Sequence, residues 1–165
     1  LFAERIAALA SPALIRQLNL RRVGDLSRAT LLHDDSMRRA GRTTGWSEWL
    51  AATRVRSVDV VGGMHFDDGH LVLQAAAGGC GVALGRLAYA LDDLAARRLS
   101  VPFAPVLEPD LEYRLLVPEG RTDEPAIAAF RSWLVQEAGS FGTRLRAIAC
   151  DAATGTVPPS VRRMR

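Results

Sequence analysis

The chain has 165 residues, 48% of them hydrophobic, which suits a water-soluble core and fits one domain or large subdomain. No apolar run approaches the roughly 18 residues that span a bilayer, Leu1–Arg5 lacks the layout of a secretory signal, and two cysteines, Cys80 and Cys150, are too few for a disulfide framework. The formal charge of +3 is carried entirely by arginines, which are spread along the chain before Arg162, Arg163 and Arg165; the basic end reads as solvated and not as a nucleic-acid tail.

The first element expected is a short strand over Arg5–Ala10. Ser11-Pro12 then starts a helix, with serine as N-cap and proline where its missing N–H costs nothing, and Leu14, Ile15 and Leu18 share its apolar face. A short helix is expected over Val23–Arg28 and a strand over Thr30–His33, ending in the turn Asp34-Asp35-Ser36. Arg38–Gly45 reads as a loop. Thr44 is placed to cap a helix that carries Trp46, Trp49 and Leu50 on one face. The β-branched run Val58–Val61 predicts a strand, interrupted by Gly62-Gly63.

Phe66-Asp67-Asp68 opens the best-defined helix. Asp67 is read as its N-cap, Phe66 and Leu71 as a hydrophobic staple, and Leu71, Gln74, Ala75 and Gly78 as one face. Gly78-Gly79 ends it. A buried strand Val82–Leu84 and a helix Leu87–Arg97 follow, the latter with Leu87, Leu91 and Leu94 inward. Cys80 reads as a small buried residue. Strands are expected at Leu99–Phe103 and Leu111–Val117. Ala126–Ala138 is a strongly amphipathic helix with Ile127, Phe130, Trp133, Leu134 and Ala138 on its stripe. The pattern decays after Gly139, so residues 140–165 read as a C-terminal extension and disordered tail. Alternating strands and helices give an α/β class with a largely parallel sheet.

Candidate chemistry is thin. The run Gly78–Gly85 follows a helix and opens a strand, the reverse of a phosphate loop, so helix termination and close packing account for it better. His65, Asp67, Asp68 and His70 cluster within six residues, yet they are assigned to different elements and no cysteine or glutamate completes a metal set. No nucleophile–base pattern appears, and no cofactor is expected. Trp46 and Trp49 read as core and not as a base-stacking platform.

Several segments taken in order do carry information: Leu9-Ala10-Ser11-Pro12-Ala13-Leu14, Leu31-Leu32-His33-Asp34, Gly45-Trp46-Ser47-Glu48-Trp49-Leu50, Phe66-Asp67-Asp68 and Leu73-Gln74-Ala75-Ala76. They continue with Gly79-Cys80-Gly81-Val82-Ala83-Leu84-Gly85-Arg86, Asp93-Leu94-Ala95, Leu99, Pro102-Phe103, Tyr113-Arg114-Leu115-Leu116-Val117-Pro118 and Ala129-Phe130-Arg131-Ser132-Trp133-Leu134. This series resembles the effector-binding domain of LysR-type transcriptional regulators, nearest the subgroup of glycine-cleavage activators and β-lactamase regulators.

The resemblance implies a type 2 periplasmic-binding-protein-like α/β fold: two lobes joined by crossover strands, with a small-molecule effector in the cleft. It covers residues 1–139. Residues 9–110 correspond to most of the second lobe, and residues 111–139 to the returning strand and last helix of the first. The winged helix-turn-helix and the early first lobe have no counterpart in the sequence. The resemblance further implies a cytoplasmic homodimer or tetramer that meets DNA only through an N-terminal domain, makes no membrane contact and performs no catalysis. The cleft would be bordered by His65, Phe66 and Asp67 and by Tyr113 and Leu115 on the returning strand. The competing readings are that Phe66 is only a staple and Tyr113 only packing, and, for the whole chain, that it is a solute-binding protein of the same fold.

Overall fold

The computed structural model describes residues 1–36 and 44–154. Its centre is a four-stranded sheet of β2 (Ile6–Leu9), β5 (Val82–Arg86), β3 (Leu31–Asp34) and β4 (Met64–Phe66), in that spatial order. β3 pairs in parallel with both β5 and β4, whereas β2 runs antiparallel to β5 from Ile6↔Arg86 to Leu9↔Ala83. All four residues of β2 are buried, as expected of a strand covered on both faces.

The period-2 alternation of a strand divides these residues between two cores. Ile6, Ala8, Leu31, Val82 and Leu84 face one core, which also holds α1 (Pro12–Gln17), the 3-10 segment Val23–Arg28 and α2 (Trp46–Thr53). Ala7, Leu9, Leu32 and Ala83 face the other, built by α3 (Gly69–Ala77), α4 (Leu87–Ala95) and the far half of α5 (Pro125–Thr154). A separate antiparallel ribbon pairs β1 (Phe2–Ala3) with β6 (Glu112–Tyr113) in the register Phe2↔Tyr113.

Helix boundaries follow local chemistry, with instructive shifts. Ser11 caps α1 as expected, its Oγ accepting from Leu14 N at 3.3 Å. The cap of α3 is Asp68 and not Asp67: its carboxylate accepts from His70 N at 2.8 Å and Leu71 N at 3.2 Å. Adjacent aspartates are equally able to cap, and the packing of Val72, Leu73 and Ala76 decides between them. That shift leaves Leu71 52% exposed, so it belongs to no staple with Phe66. α2 is capped by Gly45 instead of Thr44, with Glu48 accepting from Gly45 N at 2.9 Å. Gly78 caps the end of α3, and Gly79 follows at φ +83°, a left-handed conformation that suits glycine.

Three expected strands contract. Val58–Val61 forms none, and the ladder position beside β3 goes to Met64–Phe66. Leu99–Phe103 contributes only the bridge Ala10↔Ser100 before Pro102, and Leu111–Val117 pairs only over Glu112–Tyr113. Cys80 is exposed, not buried.

The largest departure is α5, which runs unbroken through Gly139 to Thr154. Residues 140–154 are therefore helix and not tail. Ala138, Leu145 and Ile148 are buried along one side, and at Gly142 an added Cβ would meet Phe2 Cβ at 3.2 Å. Tertiary contact thus compensates for the glycines' weak helix propensity. The loop expected over Arg38–Gly45 and the tail beyond Thr154 fall largely outside the described residues.

The first half of α5 has no such cover. No residue from Pro125 to Glu137 is buried, and Phe130 and Trp133, with ring centroids 5.6 Å apart, are 52% and 55% exposed. Each large apolar side chain gains roughly 1.5–3 kcal/mol from full burial, and an aromatic patch of this kind promotes association. The 165-residue chain is expected to bind a hydrophobic dye and to elute as oligomers in sizing chromatography. A dye-silent, stable monomer would show that this helix face needs no cover.

Candidate functional site

The chain leaves the carboxyl ends of β3 and β5 in opposite directions. After Asp34 it passes to α2 on one face of the sheet; after Arg86 it enters α4 on the other. Adjacent parallel strands with diverging continuations leave a crevice at their carboxyl edge, the favoured ligand position in open α/β sheets. A cavity of about 470 Å³ opens there, with Ile6 and Leu84 among its apolar lining residues. His33, Asp34, His65, Arg86 and the start of α2, Gly45–Glu48, also line it. That volume suits a small organic molecule.

Strand register builds one wall. His33 and His65 are partners on parallel strands, so their rings meet face to face, with centroids 4.3 Å apart and planes inclined by 9°. His33 Nε2 lies 3.1 Å from Gly62 O, and His65 Nδ1 lies 3.2 Å from Asp35 Oδ2. Asp34 Oδ1 accepts from the backbone N–H and the hydroxyl of Ser36, which fixes its carboxylate at the strand end. On the α2 side, Trp46 is buried and its indole donates to Leu32 O at 3.1 Å. Trp49 stands behind it edge-on at 5.5 Å and donates to Pro105 O at 2.9 Å.

Arg86 forms the opposite side. Its guanidinium carbon lies 3.9 Å from the centroid of the Tyr89 ring, and His70 also stacks on Tyr89 at 4.3 Å. The Nε of Arg86 is buried without a hydrogen-bond acceptor among the described residues. Gly69, the first residue of α3, allows these groups to converge: an added Cβ would lie 2.8 Å from Asp34 Oδ2 and 3.4 Å from Arg86 Nη2. Asp68 at the same helix start has its carboxyl pKa lowered, chiefly by the hydrogen bonds from Leu71 N and His70 N.

The residues expected to border the cleft separate into two places. His65 lines the cavity. Phe66 is half-buried against the core beneath α3 and α4. Asp67 is exposed and does not cap the helix. Tyr113 lies in the β1–β6 ribbon, where its hydroxyl donates to Glu4 Oε2 at 2.7 Å and its ring stacks on Phe2 at 4.5 Å. Burial first, then the bond to Glu4, push the Tyr113 hydroxyl well above the ordinary tyrosine pKa. Leu115 is half-buried just past the ribbon. The His–Asp cluster read along the sequence is dispersed, with His65 facing His33 and His70 facing Tyr89.

Sequence reasoning assigned no role to His33, Asp34, Arg86 or Glu4, and read Trp46 only as core. The available signal was positional: a charged residue directly after a buried apolar strand, as in Leu84-Gly85-Arg86, marks the carboxyl edge of a parallel sheet.

A mixed sheet with a helical core on each face, a two-stranded ribbon beside it and a polar cavity at the carboxyl edge define a ligand-binding α/β unit of the periplasmic-binding-protein kind. Residues 1–139 match the LysR substrate binding domain, and the chain belongs to that family. It is 32% identical over 147 residues to the glycine cleavage system transcriptional activator of Escherichia coli K12, covering 88% of this chain and 46% of that protein. It is 30% identical over 134 residues to the HTH-type transcriptional regulator TrpI of Pseudomonas aeruginosa, covering 81% of this chain and 44% of that one. Among solved structures it is similar to the effector domain of the transcriptional regulator AmpR of Pseudomonas aeruginosa, with a TM-score of 0.63 and 27% identity over 87% of this chain and 65% of that chain. The AmpR effector binding domain of Citrobacter freundii shares the fold, with a TM-score of 0.61 at 23% identity and the same coverages. The chain thus spans about half the length of the curated relatives it matches. Those relatives are named as transcriptional regulators and not as enzymes. Among the described residues, no helix is long and apolar enough to cross a membrane.

Proposed function

We propose that these residues form the effector-sensing part of a LysR-type transcriptional regulator, a cytoplasmic homodimer or tetramer, with a small molecule held in the cavity at the Asp34–Arg86 edge. The observation that carries this reading is the cavity at the diverging strand ends, in a chain of this family. His65 stands in the cavity wall, Phe66 ends the strand behind it with Asp67 in the turn that follows, and Tyr113 on β6 with Leu115 just past it belongs to the segment that transmits lobe closure. A ligand that binds the closed arrangement more tightly shifts the population toward it, and with it the geometry of the assembled regulator. DNA contact is assigned to another part of the regulator.

In a gel-shift titration at physiological salt, the 165-residue chain is expected to show only weak, sequence-independent retention that fades as salt rises, as scattered arginines give. Tight, sequence-selective retention of a promoter fragment would place DNA reading within these residues and overturn the assignment.

A further inference from the structure

We infer that Arg86 anchors a carboxylate group of the ligand, so that this cavity selects small monocarboxylates. The inference rests on the cavity being the effector site and names the chemistry of what it takes. A guanidinium is always charged and carries five N–H donors in a planar fork. In Arg86 that fork is held by stacking on Tyr89, and its buried Nε has no hydrogen-bond acceptor among the described residues. Several other polar groups of the cavity wall are engaged with protein: Asp34 through Oδ1 with Ser36, His65 with Asp35, Glu48 with Gly45, and Trp46 with Leu32.

A guanidinium Nε–H buried without an acceptor is costly, and the partner that matches a planar fork is a planar carboxylate bound through two parallel hydrogen bonds. The remaining charges narrow the choice. Asp34, Asp35 and Glu48 line the same cavity, so a multiply charged anion such as phosphate meets stronger like-charge repulsion than a monocarboxylate with an apolar or cationic remainder. Ile6 and Leu84 supply apolar surface for a short hydrocarbon remainder.

The test uses nitrogen-15 spectra of the 165-residue chain, following the Arg86 Nε–H signal together with the Trp46 indole N–H. The probes are acetate, butyrate and inorganic phosphate at constant ionic strength. Butyrate is expected to move both signals saturably in the millimolar range, acetate more weakly, and phosphate not saturably. Arg86→Lys keeps the charge but loses the fork and should weaken butyrate binding about tenfold or more; Arg86→Gln should abolish it. The parent spectra decide the matter even where a variant fails to fold. A saturable Trp46 shift with a static Arg86 signal overturns the Arg86 anchor and leaves the cavity as the effector site. Phosphate binding as tight as butyrate, or an Arg86→Lys variant with parental affinity, overturns the carboxylate assignment. Neither signal moving with any probe overturns the anchor, and a regulator effector that then also leaves both signals static removes the cavity reading itself.

Discussion

Replacing Trp49 by alanine is expected to destabilise the fold by about 3–5 kcal/mol, the range for deleting a fully buried large aromatic. Trp49 has no exposed surface. It packs edge-on against Trp46, and its indole donates to Pro105 O, so it joins α2 to the loop that bridges to Ile6 through Leu107. Alanine removes the ring contacts, opens a cavity and leaves a carbonyl unpaired. Phenylalanine retains most of the volume and forfeits the indole hydrogen bond, so its loss should be nearer 1–3 kcal/mol. Urea titration reads both as lowered midpoints at unchanged slope. An alanine loss below about 1 kcal/mol would mean that α2 is not seated as described. Because Trp46 lines the cavity and leans on Trp49, ligand affinity should fall in the same variant.

A comparable loss, about 3 kcal/mol or more, is expected for Glu4→Ala, because buried hydrogen bonds to a charged group are worth about 1.5–3 kcal/mol each. Glu4 is only 2% exposed. Its Oε1 accepts from Arg5 N at 2.8 Å and stands 3.5 Å from Ala88 N at the start of α4, while its Oε2 accepts from the Tyr113 hydroxyl. One carboxylate therefore connects the chain leaving the ribbon, the strand returning to it and the helix that follows Arg86. Tyr113→Phe removes one donor and should cost about 1–3 kcal/mol.

The pH dependence has a definite sign. The folded protein raises the Tyr113 pKa, so the contribution is full below the ordinary tyrosine value of about 10 and is lost as pH climbs from there toward the raised value. The alkaline decline should be shallower in Tyr113→Phe. In a full-length regulator built as proposed, Tyr113→Ala and Phe66→Ala are expected to abolish the effector response while promoter binding persists. Parental responses from both variants would reduce these residues to packing.

Much of this architecture was legible along the chain. Ser11-Pro12 announces α1, the tryptophans three apart define the buried face of α2, Gly78-Gly79 ends α3, and the apolar run after Gly81 is β5. These signals are local: a cap, a helical period and a left-handed turn are satisfied within a few residues. The resemblance to LysR effector domains was likewise visible in the order of such segments, and the family match agrees with it.

What the chain alone left undecided depended on contacts between distant residues. Asp67 and Asp68 are interchangeable as caps until Val72, Leu73 and Ala76 meet the sheet. Val58–Val61 has better strand composition than Met64–Phe66, yet the second segment is the one that lies beside β3, because strand choice is settled by pairing and not by propensity. Gly139 breaks the sequence pattern of α5 without breaking the helix, since Leu145 and Ile148 bury against a core formed by residues far earlier in the chain, from Ala7 to Leu99. The site followed the same rule. His33 meets His65 through strand register, Arg86 and Asp34 both approach Gly69 at the edge of two adjacent strands, and Glu4 meets Tyr113 across the ribbon. Local signals specified which elements form; the pairing of strands specified which side chains share a cavity, because a one-residue change of register reverses every face.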